Sequence, residues 1–204
     1  MNNKFRFISF EGIEGCGKST QAKKLYEYFL AKQINCLLTR EPGGSVAGEK
    51  IRNVLLDETI ENLNPKTELL LNFASRIEHV EKLIKPALKD NKIVICDRFF
   101  DSTYAYQGGA QGVDLNIIDD VKKIAINNFA PDITFFIKVE VEEGLKRTAN
   151  RLNNNRFEKL SIDFHQKVHH QFLELAKKNS RIKIVDGMQN QQQVFQQILN
   201  FINH

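Results

Sequence analysis

The sequence predicts a three-layer α/β/α fold built on a five-stranded parallel sheet, and two observations carry this prediction. Five short apolar runs alternate with longer segments of helical periodicity, which is the pattern of parallel strands joined by helical crossovers. Three of the runs are nearly continuous in β-branched, aromatic or leucine residues, as in strands that are covered on both faces. The predicted strands are 5–10, 36–39, 92–97, 133–139 and 181–185.

Several predicted helices carry a start signal in the sequence. Asn64 followed by Pro65 supplies an N-cap and a proline at the first helical position. Asp114 and Asn190 also precede segments of helical periodicity, and we expect each to cap the helix that follows. Pro86 lies inside a helical pattern and should kink or end that helix, because proline lacks a backbone N–H.

Length and composition fit one domain covering residues 1–204. The chain is 42% hydrophobic and 26% charged, which allows a substantial core. No apolar run approaches the length of a membrane span, and the N-terminus lacks the pattern of a signal peptide. The three cysteines are isolated, which favours reduced thiols and a cytoplasmic location. We expect no membrane partner because no span is present, and no nucleic-acid partner because the net charge is only +4 without a long basic run.

Residues 12–19 match the phosphate-binding pattern G-x-x-x-x-G-K-[ST]. They follow the first predicted strand and precede a helix predicted over 19–32, so backbone N–H groups and the helix dipole converge on a phosphate. We expect Lys18 to reach the β- and γ-phosphates of a nucleotide and the Ser19 hydroxyl to bind Mg²⁺. The residues expected to contact the nucleotide are Gly12, Ile13, Glu14, Gly15, Cys16, Gly17, Lys18, Ser19 and Thr20.

Charged residues follow three of the predicted strands at the point where each strand ends. They are Glu11, the segment 39–44, and the pair Asp97-Arg98. Because the carboxyl ends of parallel strands meet at one edge of a sheet, we expect these residues to form one site. Asp97 is expected to hold Mg²⁺ or its waters beside Ser19, and Arg98 to bind a second phosphate through its planar fork.

A further group of basic residues lies in the segment 141–158. Arg147 and Arg151 are four residues apart and share a helix face, and Arg156 follows a run of asparagines. We expect a mobile lid at about 142–158 that folds over the nucleotide and stabilises charge on the transferred group. On these residues alone, a solvated helix with a polar turn is the favoured alternative.

The histidines give no indication of a metal centre. Their spacing does not bring them together with cysteine or acidic partners in a ligand pattern. We expect most of these four to lie at the surface: His79, His165, His169 and His170.

Several blocks of the sequence, taken together, point to a known family. They are Phe10-Glu11-Gly12-Ile13-Glu14-Gly15-Cys16-Gly17-Lys18-Ser19-Thr20, Thr39-Arg40-Glu41-Pro42-Gly43-Gly44, Phe73-Ala74-Ser75-Arg76, Asp97-Arg98, and Asp101-Ser102-Thr103-Tyr104-Ala105-Tyr106-Gln107-Gly108-Gly109. With these blocks in this order over nearly the whole chain, the sequence resembles the bacterial thymidylate kinases. The phosphate loop alone specifies only a superfamily, whereas the second and last blocks together are far more specific.

The resemblance implies a P-loop nucleoside monophosphate kinase fold and ATP-dependent phosphorylation of dTMP to dTDP in dTTP biosynthesis, with Mg²⁺ and in a homodimer. It implies that Arg76 reads the thymine edge, Arg98 holds the acceptor phosphate and Tyr106 senses the absent 2′-hydroxyl. Glu14 would reach the 3′-hydroxyl region of the acceptor sugar. The implied acceptor residues are Glu14, Arg40, Phe73, Arg76, Arg98, Thr103, Tyr106 and Gln107, and the implied catalytic residues are Lys18, Asp97, Arg98, Arg147 and Arg151.

Two uncharged loop residues indicate a subtype within the family. Members with a basic residue in the phosphate loop tend to lack basic residues in the lid. Gly15 and Cys16 are uncharged here, whereas the lid segment is rich in arginine. The chain therefore resembles the lid-arginine type, in which Arg151 or Arg147 would reach the transferred phosphoryl group.

One position departs from the family pattern. A thymine-stacking phenylalanine usually lies where this chain has Asn72, and the phenylalanine here is its neighbour Phe73. Adjacent residues on a helix point about 100° apart. Either the local helix adjusts so that Phe73 stacks on the base, or Phe73 belongs to the core. Pro42 matches a family proline preceded by a cis peptide bond.

Two rival interpretations stay open from the sequence. One is a kinase of the same fold that accepts a different nucleoside monophosphate. The other is a nucleotide-operated switch or a nucleic-acid-binding protein, although the sequence has no recognition helix, no interleaved aromatic and basic residues and no guanine-specific Asn-Lys-x-Asp block.

Overall fold

The computed structural model of the chain describes residues 5–60, 62–148, 157 and 160–203. The strands are β1 (Phe7–Glu11), β2 (Cys36–Arg40), β3 (Ile93–Asp97), β4 (Ile133–Lys138) and β5 (Ile182–Asp186). The helices are α1 (Lys18–Ala31), α2 (Val46–Leu56), α3 (Pro65–His79), α4 (Lys85–Lys89), α5 (Phe100–Thr103), α6 (Leu115–Ile126), α7 (Val141–Thr148), α8 (Ile162–Lys178) and α9 (Gln191–Asn203). Each predicted strand is confirmed to within two residues at either end.

All five strands run parallel in the order β2-β3-β1-β4-β5, which confirms the predicted sheet. The central strand β1 places Phe10 opposite Asp97 of β3. On its other side, the hydroxyl groups of Ser9 and Thr134 in β4 lie 2.6 Å apart and hydrogen-bond inside the sheet. This register puts the carboxyl ends of β1 and β3 side by side, where ligands of parallel α/β sheets bind.

Helices cover both faces of the sheet and make two apolar cores. Successive residues of β1 alternate between these cores, as side chains of a strand must. Ile8 and Phe10 pack with residues of α1, α8 and α9, whereas Phe7 packs with residues of α3 and α6. The three-layer α/β/α architecture that the sequence predicts is thereby confirmed, and the apolar runs are explained by burial on both faces.

The helix start signals of the sequence are confirmed. The side chains of Asn64 and Asp114 each accept a hydrogen bond of 2.9 Å from the backbone N–H two residues later. Asn190 accepts from the N–H groups of Gln192 and Gln193 at the start of α9. In the part of the chain that the structure describes, no helix is both long and apolar enough to cross a membrane.

The expected effect of Pro86 takes the form of a local widening of the helix. The helical path continues from α3 through a π-helical segment, Val80–Ile84, into α4, where Pro86 lies in the first turn. A π turn changes the hydrogen-bonding pattern and is a recognised cause of helix bending. A second π-helical segment, Tyr104–Ala110, follows α5 and carries Tyr106 and Gln107.

The phosphate loop is held tightly between the sheet and α7. Gly12 adopts a φ of +143°, and a Cβ there would lie 2.8 Å from the carbonyl oxygen of Ile137 in β4. Gly15 adopts a φ of +71°, and a Cβ there would lie only 1.9 Å from the carbonyl oxygen of Gly144 in α7. With α7 in this position, the loop has no room for a side chain at residue 15.

The contact between Gly15 and Gly144 predicts a larger stability loss for Gly15→Ala than for Gly112→Ala. Gly112 has nearly the same backbone angle, φ +76°, but no heavy atom within 4 Å of an added Cβ. The control should therefore lose only the cost of a left-handed alanine, about 1–2 kcal/mol. Gly15→Ala should lose about 1–3 kcal/mol more, because α7 must move.

Urea-induced unfolding of the two variants and the parent chain measures this difference. Equal losses at the two positions would show that α7 yields to the added methyl group without strain.

Candidate active site

The phosphate loop between β1 and α1 presents an anion-binding turn. Gly17 precedes α1 in the left-handed region at φ 95°, which glycine adopts without strain. The first backbone N–H groups of α1 have no partner within the helix and point out of its N-terminus. Lys18 donates from Nζ to the carbonyl oxygen of Ile13 at 3.0 Å, which holds the ammonium group over the loop. A phosphate bound in the turn would replace that carbonyl oxygen as the partner of Lys18.

Ser19 and Asp97 bring a hydroxyl and a carboxylate together beside the loop. Ser19 Oγ donates a hydrogen bond to Asp97 Oδ2. The other carboxylate oxygen, Oδ1, is buried and finds no hydrogen-bond partner within the described ranges. Hard oxygen ligands of this kind suit Mg²⁺, which keeps several waters and binds one or two protein oxygens together with phosphate. The two side chains therefore fit the metal site that the sequence predicts.

Arg98 joins the end of β3 to the phosphate loop. Its guanidinium donates to Glu14 Oε1 at 3.1 Å and to the Gly12 carbonyl oxygen at 3.0 Å. It also donates to the Tyr106 hydroxyl and to Ser102 Oγ, both at 3.0 Å. The Arg98 backbone is in the left-handed region, at φ 70°, which is uncommon for a residue with a side chain. The many partners of Arg98 compensate for this strained conformation.

Glu14 is a buried carboxylate that stays ionised because cations surround it. Burial acts to raise the pKa of Glu14, but contact with His165 and the charges of Arg98 and Lys18 outweigh burial and hold the pKa well below its ordinary value. The Tyr106 hydroxyl adds a hydrogen bond of 2.7 Å to Oε1. His165 Nδ1 lies 3.3 Å from Oε2 as a close polar contact that lacks hydrogen-bond geometry.

Glu11, at the end of β1, has the opposite electrostatic environment. It accepts hydrogen bonds from the Phe99 backbone N–H at 2.7 Å and from Ser102 Oγ at 2.6 Å. Burial and the nearby negative charge of Asp101 raise the pKa of Glu11 to about 8, although Arg98 opposes this shift. Glu11 thus fixes both the backbone after Arg98 and a hydroxyl that Arg98 contacts.

Arg76 is held by a second buried network behind the cleft. Its Nε donates to Glu41 Oε2 at 2.6 Å, and its Nη1 donates to Thr103 Oγ1 at 3.2 Å. His79 Nδ1 lies 3.0 Å from the other Glu41 oxygen, and His79 Nε2 lies 2.7 Å from Thr39 Oγ1. These contacts connect Arg76 to the loop after β2, where Glu41 precedes a cis peptide bond, as the family resemblance implies.

The expectation that most histidines lie at the surface is wrong for two of the four. His79 and His165 are 0% exposed, because each fills a space beside a buried glutamate. His169 is half-buried and His170 is exposed. Across the described residues, no group of three or more histidine, cysteine or acidic side chains is arranged to hold a metal ion.

A cleft of about 240 Å³ opens at this edge of the sheet, between the phosphate loop, β2 and β3, and the π-helical segment that carries Tyr106. Most of the predicted phosphate, acceptor and metal residues therefore meet in one place. The predicted residues that line the cleft are Glu14, Gly15, Lys18, Ser19, Arg40, Arg76, Asp97, Arg98, Thr103, Tyr106 and Gln107. Of the remaining loop residues, Gly12, Ile13, Cys16 and Gly17 form the turn beside it, and Thr20 lies in the first turn of α1.

Apart from those loop residues, two predicted site residues, Phe73 and Arg147, are not among the cleft residues. Phe73 is 1% exposed in the core, and Asn72 lines the cleft in its place, because the two side chains lie on different sides of α3. The Phe73 ring lies 4.6 Å from the Arg76 guanidinium carbon. Arg147 points away and donates to Glu143 at 2.9 Å and to the Gly187 carbonyl at 3.2 Å. Arg151 lies outside the described residues.

Sequence reasoning missed Arg52, Ser102 and Asn72, which also line the cleft. Arg52 in α2 donates to the Pro42 carbonyl oxygen at 2.8 Å. Burial and the neighbouring Arg40 charge lower the pKa of Arg52. Little in the sequence separates Arg52 from a surface arginine, but its helical register with the buried Gly48 and Leu55 places it on the inward side of α2.

The fold and the cleft together define the class of protein. A phosphate loop that opens the first helix of a parallel sheet, facing arginines on neighbouring strand ends and helices across one cleft, is the arrangement of a P-loop kinase that acts on nucleoside monophosphates.

The thymidylate kinase family model matches residues 10–198, and the chain belongs to this family. A thymidylate kinase from Thermoanaerobacter sp. (strain X514) is 44% identical over 200 residues, covering 98% of both chains. One from Geotalea daltonii is 47% identical over 192 residues, covering 90% of both. The crystal structure of thymidylate kinase from Ehrlichia chaffeensis superimposes with a TM-score of 0.80 at 38% identity, covering 97% of this chain and 98% of that one.

The raised pKa of Glu11 predicts a pH dependence of stability. Its value of about 8 in the folded protein exceeds the ordinary 4.5, so the folded chain holds a proton that the unfolded chain releases between these values. Stability contributed by Glu11 should therefore fall as the pH rises from about 5 to about 8, by up to about 1.4 kcal/mol per pH unit. Glu11→Gln cannot titrate and should flatten this slope. The lowered pKa of Glu14 acts only below about pH 4.5, outside this range.

Urea-induced unfolding at pH 5, 6.5 and 8 gives the free energy of unfolding for the parent and the variant. Glu27→Gln, at an exposed position of α1, is the matched control and should keep the parental slope. A Glu11→Gln slope equal to the parental one would mean that Glu11 is ionised throughout this range.

Proposed function

We propose that this chain transfers the γ-phosphoryl group of ATP to dTMP, giving ADP and dTDP in dTTP biosynthesis. Membership of the thymidylate kinase family supports the reaction and both substrates. The observation that carries the proposal is the single cleft that joins a phosphate loop at one end to Arg76 and Arg98 at the other. A triphosphate in the loop and a monophosphate beside Arg98 would face each other across this cleft.

Transfer in this cleft needs no strong general base. A phosphate oxygen of dTMP is already a nucleophile at neutral pH, and it bonds to the γ-phosphorus as the bond to the β–γ bridging oxygen breaks. The protein then contributes alignment and charge neutralisation. Lys18 leaves the Ile13 carbonyl oxygen for the donor phosphates, while Arg98 and Arg40 hold the acceptor phosphate.

The metal in this proposal is Mg²⁺. Ser19 and Asp97 would hold it, directly or through water, and the spare Oδ1 of Asp97 supports this assignment. When bound, the ion neutralises charge on the β- and γ-phosphates.

The acceptor nucleoside lies between the loop and the π-helical segment in this proposal. Glu14 and Tyr106, joined by a hydrogen bond of 2.7 Å, would contact the sugar near its 3′- and 2′-positions. Arg76, Thr103 and Gln107 would contact the base, and these three line the same end of the cleft. Phe73, which the family pattern assigns to base stacking, would instead support Arg76 from the core through the contact between its ring and the guanidinium.

The lid completes the proposed site. We propose a mobile lid at about 142–158, of which residues 149–156 and 158 lie outside the described part of the chain, with Arg147 or Arg151 neutralising charge on the transferred phosphoryl group. Support comes from Gly15, whose close approach to Gly144 leaves no room for a basic side chain at position 15 of the loop. Arg147 would have to exchange its present partners, Glu143 and the Gly187 carbonyl, for the phosphate. We further propose that residues 1–204 form one domain and that the protein is located in the cytoplasm.

Phosphorylation of a panel of monophosphates tests the proposed function. With ATP and Mg²⁺, coupled ADP release should be fastest with dTMP, slower with dUMP, and weak with UMP, dCMP, AMP and GMP. Arg98→Ala is the control that ties the activity to this cleft, and it should lower turnover by at least about 100-fold because one acceptor-phosphate clamp is lost. A clear preference for any other monophosphate, or full activity of a folded Arg98→Ala chain, would overturn the proposal.

We also propose that the chain forms a homodimer through α2, α3 and α6. Large apolar side chains are exposed on these neighbouring helices, and they include Val54, Leu70, Ile77, Ile117 and Ile124. Sedimentation equilibrium should give about twice the chain mass of 23.5 kDa. Leu70→Lys should shift the equilibrium toward the monomer, whereas Leu30→Lys, at an exposed leucine of α1, should leave it unchanged. A monomeric parent at high concentration would contradict the dimer.

A further inference from the structure

Gln107, at the base end of the cleft, is held by a buried glutamate that the proposed reaction does not use. Glu68 lies in the first turn of α3 and is 1% exposed. Its Oε2 accepts a hydrogen bond from Gln107 Nε2 at 3.0 Å and another from Gln111 Nε2 at 2.8 Å. Gln107 is itself buried to 3% exposure, so its amide has little freedom to find other partners.

The contact with Glu68 decides which amide atom Gln107 offers to a ligand. A glutamine amide carries a donor and an acceptor of nearly equal size, and a free side chain can present either one. Glu68 Oε2 acts as an acceptor for both Gln107 and Gln111, so the Nε2 of Gln107 faces Glu68. Because Gln107 lines the cleft, the atom left for a ligand is Oε1, which is an acceptor.

Arg76, beside Gln107, offers only donors. Its Nε is engaged by Glu41 at 2.6 Å and its Nη1 by Thr103 at 3.2 Å, and the remaining N–H groups have nothing but donor character. Thr103 and Gln107 are four residues apart and meet the same end of the cleft. The base end therefore presents a donor next to an acceptor, each oriented by its own buried glutamate.

We propose that Glu68 is a positioning residue that sets base specificity, by orienting Gln107 so that the cleft accepts a ring N–H next to a carbonyl group. This inference rests on the proposed function, because it concerns how the acceptor of that reaction is chosen. Thymine and uracil carry N3–H beside the 4-carbonyl and match the pair. Cytosine carries an unprotonated N3 beside an amino group. Its N3 acceptor would face the acceptor of Gln107, and its amino donor would face the donor of Arg76.

A glutamate at position 68 fixes the orientation of the Gln107 amide, whereas a glutamine at that position would not. A glutamine at position 68 can donate as well as accept, so both orientations of the Gln107 amide would find a partner. The amide could then turn Nε2 toward the cleft and pair with N3 of cytosine. A site that leaves a buried polar group unpaired when the wrong ligand binds discriminates strongly against that ligand. Loss of the fixed orientation of the Gln107 amide should therefore lower this discrimination measurably.

The test compares dTMP and dCMP as acceptors for the full-length chain with saturating ATP and Mg²⁺. For Glu68→Gln, kcat/KM with dTMP should fall about 10-fold or more, mainly through KM, and the dTMP-to-dCMP ratio of kcat/KM should fall by at least about 10-fold. Glu68→Asp, which keeps an acceptor-only group on a shorter side chain, should give an intermediate ratio. It also keeps the proposal testable if Glu68→Gln does not fold.

Gln111→Met is the matched control. It removes the second donor to Glu68 but leaves the bond to Gln107, so the parental ratio should persist even if thermal stability drops. A parental ratio in folded Glu68→Gln and Glu68→Asp chains would overturn the proposal and leave Glu68 with a purely structural role. A parent chain that does not prefer dTMP at all would instead refute the proposed function.

Discussion

The cleft depends on the pairing of buried carboxylates at the carboxyl edge of the sheet. Four glutamates are less than 8% exposed there: Glu11, Glu14, Glu41 and Glu68. A buried charge without partners costs several kcal/mol, so each of these side chains must be protonated or surrounded by donors. The donors that satisfy them include Arg98, Arg76 and Gln107, which are the groups that face the cleft. The same hydrogen bonds therefore satisfy the buried carboxylates and position the side chains of the cleft.

The need to satisfy these buried carboxylates explains why the end of the cleft beside Arg76 and Arg98, where we propose that the acceptor binds, is ordered by contacts within the protein. Moving Arg98 away from Glu14 and the Gly12 carbonyl oxygen would be costly, because these partners compensate for its unfavourable backbone conformation. Arg76 is similarly held by Glu41, with rings of the core against its guanidinium. Arg76 and Gln107 can keep their glutamate partners and therefore need little rearrangement when a substrate binds, and preorganised sites gain rate in this way. Arg147, in the proposed lid, is by contrast tied to the partly exposed Glu143, an interaction worth about 1 kcal/mol or less.

Strands, caps and the phosphate loop could be predicted because their signals are local. A cap such as Asn64 acts on the backbone two residues away, and an apolar strand is visible in five consecutive residues. The buried networks could not be predicted, since Glu41 meets Arg76 across 35 residues and Glu68 meets Gln107 across 39. The expectation that most of the histidines lie at the surface failed for His79 because its partners, Glu41 and Thr39, are also distant in the sequence. The family resemblance identified many of the cleft residues, but it did not indicate which contacts hold them in place.

The most direct test is a crystal structure of the protein with dTMP and a non-hydrolysable ATP analogue bound. If buried glutamates preorganise the acceptor end, the Arg76–Glu41 and Gln107–Glu68 hydrogen bonds should persist at their present lengths of 2.6 and 3.0 Å while both side chains contact the base. Lys18 should meanwhile have moved from the Ile13 carbonyl oxygen to the phosphates. A bound complex in which Arg76 or Gln107 has left its glutamate to reach the ligand would contradict the account.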